Sequence, residues 1–138
     1  MKKSVVFILI VFLVILLSAC QSGPTIAEED LYGTWGLEGD NVFVRFMPDG
    51  TYAIATFISL LDENPADVGT YTVDGNTLVF SGDGGSLCDA GNTGTFPIAL
   101  SDEGALLTTD GENKGEDTCE ERWHAFGDYG SWVKLINQ

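Results

Sequence analysis

Basic residues are scarce. Six lysines and arginines stand against 21 aspartates and glutamates in 138 residues, a formal charge of −15. A surface so acidic repels phosphate backbones and anionic lipid heads, which excludes nucleic-acid binding and polybasic membrane docking. Histidine occurs once, at His124, and cysteine three times, a poor set for zinc. The lone histidine lies between Trp123 and Ala125 without a serine motif, so no hydrolase triad is in view. Gly82-Asp83-Gly84-Gly85 lacks the lysine and the following helix of a phosphate-binding loop. No carboxylate pair stands out for glycoside hydrolysis. The expectation is a protein that is not an enzyme and uses no cofactor or resident metal. Long helical patterns are missing too, and the longest apolar run, Val5 to Leu17, is thirteen residues against the roughly 20 of a spanning helix. Aromatic residues, 11% of the chain, recur throughout it, which excludes a disordered chain.

The first segment has the anatomy of a secretory signal: Met1-Lys2-Lys3-Ser4, the apolar run, then small residues. Leu17-Ser18-Ala19-Cys20 resembles the lipobox of bacterial lipoproteins. That resemblance implies removal of residues 1–19 and a diacylglyceryl group on Cys20, whose thiolate is the nucleophile accepting the lipid. Two or more acyl chains make such an anchor durable. The mature chain would hold 119 residues (138 less 19), enough for one domain. Its four basic and 21 acidic residues give −17. Residues 20–29, with Gln21-Ser22-Gly23-Pro24-Thr25, read as a flexible tether that would reach roughly 30 Å. Gln21 instead of aspartate resembles lipoproteins not retained at an inner membrane. The implied address is the cell envelope, facing the exterior or periplasm, at the outer membrane where a cell has two. The expected partner is therefore the membrane, through the lipid.

Removing Cys20 from the count leaves Cys88 and Cys119, an even pair in an oxidising compartment. A disulfide between them would close a 31-residue loop, worth about 3–4 kcal/mol on the chain-entropy model.

Residues 30–138 read as one all-β domain, because period-two alternation dominates. Strands are expected at Leu31–Leu37, Asn41–Met47, Thr51–Leu60, Gly69–Val73, Thr77–Ser81, Thr93–Leu100, Ala105–Thr109 and Ser131–Ile136. Turn signals such as Pro48-Asp49-Gly50 and Asp74-Gly75-Asn76 separate them. Asp62–Asp67 and the glycine-rich Gly82–Gly91 read as loops, and Arg122–Phe126 as either a strand or a turn. An antiparallel up-and-down meander of about eight such strands hides its edges and apolar face by closing into a barrel. Val42, Val44, Phe46, Tyr52, Ile54, Tyr71, Val73, Leu78, Phe80, Phe96, Ile98 and Leu100 are the expected inward residues.

Gly33-Thr34-Trp35 resembles the Gly-x-Trp signature of lipocalins and the wider calycin barrels. Phe46-Met47-Pro48-Asp49-Gly50-Thr51-Tyr52 and Asp67-Val68-Gly69-Thr70-Tyr71 are similar to the small lipocalin-like domains of bacterial lipoproteins. The resemblance implies that Gly33 and Trp35 close one end of the barrel under a late basic residue, Arg122 or Lys134. Arg122 is preferred because arginine stacks better on an indole. It also implies non-catalytic capture of a small apolar ligand in the barrel mouth, with Phe46, Tyr52, Ile54, Tyr71, Phe80 and Phe96 as the lining. An eight-stranded barrel either holds one such ligand or is filled by its own side chains. The filled alternative would make the domain a structural or protein-interaction module. Asp110–Glu121, with a central glycine and terminal glutamate, loosely echoes a calcium loop, though Lys114 stands at a ligand position.

Overall fold

The computed structural model describes residues 25–135. The leader, Cys20 and residues 136–138 lie outside that range, so the expected lipidation falls on residues not described. No helix among the described residues is long and apolar enough to cross a membrane.

Among the described residues, ten strands form one antiparallel sheet: β1 (Gly33–Leu37), β2 (Phe43–Phe46), β3 (Thr51–Ala55), β4 (Asp67–Asp74), β5 (Thr77–Gly84), β6 (Thr93–Pro97), β7 (Ala99–Leu100), β8 (Leu106–Leu107), β9 (Glu116–Asp117) and β10 (Ser131–Leu135). Their order is β7-β8-β10-β1-β2-β3-β4-β5-β6-β9. The all-β antiparallel expectation is met, and β1 to β6 run as a meander. The closed barrel of eight is not: the sheet is a curled half-barrel whose outermost strands, β7 and β9, share no ladder. The reason lies in the segment expected as a single strand, Thr93–Leu100. It splits at Pro97-Ile98, where proline withdraws a ladder donor. Its first half pairs with β5 and its second half with β8, so two consecutive pieces of chain stand toward opposite ends of the order. Both outermost strands are two residues long, which leaves little edge to recruit another chain.

Alternation chose the buried face well in β2 to β6. Val44, Phe46, Tyr52, Ile54, Tyr71, Leu78, Phe80, Phe96 and Ile98 are buried in one core, and Val42 and Val73 pack against it. Leu100 is a correction: it points outward and is 42% exposed. In β10, Trp132 faces the core while Val133 is exposed. Ile26 of the expected tether is also buried in this core, and Glu28–Leu31 form a helical turn above β1. The third strand stops at Ala55, and Leu60–Glu63 turn as a short helix. Leu61 then covers Ala53 and Ala55 on the outer face, with Phe43, Leu60 and Val68 beside them.

The largest departure is at residues 120–129. Neither a strand nor a turn, they form a helical turn, Glu120–Trp123, continued by a π-helix, His124–Tyr129. Gly130 ends it at φ 62°, with Thr109 Cγ2 2.4 Å from where a side chain would start, so only glycine fits there. The segment inserts Phe126 into the half-barrel, 5.0 Å from the Phe80 ring, 5.3 Å from Phe96 and 4.4 Å from Trp132. Thr108 Oγ1 donates to the Phe126 carbonyl at 2.6 Å and holds the insertion in place.

Candidate functional site

The half-barrel has two ends, defined by the β1–β2 and β3–β4 registers. Gly33 pairs with Phe46 at one end, while Gly36 pairs with Phe43 and Ile54 with Asp67 at the other. At the second end the helix brings Arg122 over the sheet, fully buried. Its guanidinium grips Asp117 in a fork, Nε to Oδ2 at 2.6 Å and Nη2 to Oδ1 at 2.8 Å. Nη1 donates to the Tyr52 hydroxyl at 2.7 Å and to Asp67 Oδ2. Tyr52 Oη also donates to Asp67, and Asn92 Nδ2 reaches Asp67 Oδ1 at 3.1 Å. Burial works against the charge of Arg122, but hydrogen bonding to Asp117 and attraction from the surrounding anionic groups outweigh it and raise its pKa. Burial pushes the Tyr52 phenol up strongly, the Asp67 hydrogen bond adds to this, and Arg122 opposes it. The cluster welds β3, β4, β9 and the helix together.

Beside this cluster opens a cleft of about 270 Å³. Val42, Ile54, Ala55, Ala66, Leu87 and Ala125 give it apolar walls, and Glu121, Arg122 and His124 complete the helix side. The Cys88–Cys119 disulfide, with Cα atoms 5.6 Å apart, ties the Leu87 loop to the start of the helix. The π-helical turn matters here, because such turns re-aim side chains and cluster at functional sites. At about 30 Å³ per water-sized group the cleft has room for roughly nine non-hydrogen atoms. His124 Nδ1 lies 2.8 Å from Asp128 Oδ2, and Nε2 lies 3.8 Å from Glu120, so carboxylates hold the imidazole from both sides. The Lys114 hydrogen bond, then that of His124, keeps the Asp128 carboxyl below the ordinary 3.8.

The residues expected to line a ligand divide three ways. Ile54 lines the cleft. Phe46, with Gly33, borders a wider surface groove of about 660 Å³ at the opposite end. Tyr52, Tyr71, Phe80 and Phe96 do neither, because in the interior Tyr71 packs edge-on against Phe46 and the other three rings pack on one another and on Phe126. Trp35 is buried and donates Nε1 to the Leu31 carbonyl at 2.7 Å. Its cation is Lys134, with Nζ 5.0 Å from the ring centroid, and not Arg122. Register decides this: Trp35 and Lys134 are direct cross-strand partners on one face, whereas Arg122 is delivered by the helix to the far end. Gly33, at φ 119°, leaves space for the Lys134 stem, whose Cε would lie 3.3 Å from an added side chain.

In the stretch Asp110–Glu121, Asp110 and Asp117 spend their oxygens locally. Asp110 Oδ1 accepts from the amides of Glu112 and Asn113, Asp117 is taken by Arg122, and Lys114 pairs with Asp128 at 2.7 Å. Cys88, Cys119 and Glu121 are grouped as a metal set would be, but the two sulfurs are bonded to each other and do not ligate as thiolates. The buried polar cluster was invisible in the sequence, since nothing separates Asp67 and Asp117 from 19 other acidic residues. The available signal was the spacing of Arg122, Ala125 and Phe126, which is the i, i+3, i+4 of a helix face. No protein-family model matches the chain, and no curated protein matches it.

Proposed function

We propose that this is a lipid-anchored envelope protein, held through Cys20, that binds a small apolar ligand without catalysis. The site in this reading is the cleft beside Arg122, not the barrel interior. The observation that carries it is an apolar hollow of about 270 Å³ beside an interior otherwise filled by aromatic rings. A disulfide and a buried ion cluster brace two of its walls, which limits the ordering cost on binding. A chain of six methylenes, at about 0.8 kcal/mol each, would bind with Kd near the millimolar range. The test is saturable 19F line broadening of 6,6,6-trifluorohexanol by the full-length chain in zwitterionic nanodiscs. Ala125→Leu, which fills the cleft, should abolish it. Broadening that persists in A125L would move the ligand elsewhere, and no saturable broadening at all would remove the reading.

A second reading, a protein-interaction module, draws support from the solid interior and from Phe57 and Ile58, which are 59% and 49% exposed. Under it, Phe57→Ser with Ile58→Ser would leave the urea midpoint of the fold unchanged and abolish co-purification of a stoichiometric envelope partner. Unchanged co-purification would count against it.

A further inference from the structure

We infer that the cleft selects by charge, accepting small apolar molecules that end in an ammonium-type head and rejecting carboxylates on the same tail; this rests on the ligand-binding reading above. The described residues contain four lysines and arginines, and each is engaged. Arg45 is held by Asp62 at 2.6 Å, Lys114 by Asp128, and Lys134 lies over Trp35 at the opposite end. Arg122 does line the cleft, but its Nε, Nη1 and Nη2 donate to Asp117, Asp67 and Tyr52. One guanidinium therefore faces two carboxyl groups and offers no surplus attraction to an incoming anion.

The rim carries the opposite sign. Glu121 lines the cleft and is exposed, and Glu120 stands beside His124 on the same helical turn. His124, the remaining candidate cation at the mouth, is flanked by Asp128 and Glu120. A hexyl tail among Ile54, Ala55, Ala66 and Ala125 would thus leave a carboxylate head facing Glu121, and an ammonium head paired with it. A unit charge a few ångströms away shifts affinity by roughly fivefold even through water.

Full-length chain in zwitterionic nanodiscs, methyl-labelled at alanine, should be titrated with hexylammonium, hexanol and hexanoate. Shifts of the Ala55, Ala66 and Ala125 methyls read occupancy. The expected order is ammonium, then alcohol, then carboxylate, each step about fivefold in low salt and less in high salt. Glu121→Gln, a change at an exposed side chain, should remove most of that separation, about fivefold for each charged head. Hexanol shifts with no preference between the charged heads, or a preference for hexanoate, would overturn the inference while leaving apolar binding standing. A ratio unchanged in E121Q would overturn the role given to Glu121. No shift of these methyls with any of the three would remove both readings.

Discussion

Phe126→Ala should turn the filled half-barrel into a hollow one. The ring is fully buried and touches Phe80, Phe96 and Trp132, with centroids at 5.0, 5.3 and 4.4 Å. Those neighbours sit on β5, β6 and β10, and ladders on both sides prevent them from closing the gap. Removing six ring carbons should cost about 4 kcal/mol, within the range for buried phenylalanine truncation. At an m-value near 1.5 kcal/mol/M the urea midpoint should fall by about 2–3 M. The cavity is lined by apolar rings, so it should stay dry and admit benzene. At fiftyfold over its Kd, benzene would restore about 2 kcal/mol to the variant and nothing comparable to the parent. Urea unfolding followed by tryptophan fluorescence, with and without benzene, measures both. A loss below about 1.5 kcal/mol, or equal benzene effects on both proteins, would refute the idea that this ring fills the interior.

Other outcomes follow from the same geometry. Arg122→Met strands Asp67 and Asp117 and should cost about 3–5 kcal/mol, whereas adding Asp67→Asn and Asp117→Asn should restore most of it; equal melts for the single and triple variants would contradict this. Tyr52 favours its neutral form in the fold, so its stabilising contribution is complete below pH 10, the ordinary value, and is lost above it as the unfolded chain ionises. Urea melts at pH 9 and 11 should differ by roughly 1.4 kcal/mol in total from this group, with Tyr71 acting in the same direction; a flat profile would count against it. The Asp128 carboxyl should titrate below 3.8 and move up in Lys114→Ala, and an NMR midpoint unmoved by that change would deny the pair its role. Reducing the Cys88–Cys119 bond should add two protons by intact mass and lower stability by about 3–4 kcal/mol; free thiols before reduction would dispose of it.

How much of this was legible depended on whether one strand face carried all the apolar residues. In β4 and β5 the alternation Gly69, Tyr71, Val73 and Leu78, Phe80 is clean, and register, turn and buried face could all be read. Residues 120–129 defeated the same reasoning because their inward positions are Arg122, Ala125 and Phe126, one of them a charge. A hydropathy pattern scores that arginine as surface, although Asp67 and Asp117 wait for it 55 and 5 residues away. The interior aromatics were located correctly, but whether they enclose space depended on Phe126, which arrives from the misread segment. The disulfide was legible from counting alone. The cleft was not, since its walls come from β3, the Leu87 loop and the helix, and only the ion cluster and the disulfide bring them together.

The pairing of Gly33 with Phe46, against Ile54 with Asp67, fixes a polarity along the half-barrel. The chain enters β1 at the Gly33 end, and the Arg122 cleft opens one strand length away, about 15 Å off. Under the proposed anchoring through Cys20, the hollow would open at the end of the domain away from the tether, turned toward whatever diffuses past and not toward the acyl chains. Neighbouring lipid tails would then be poor competitors, and solutes from the aqueous side would have first access.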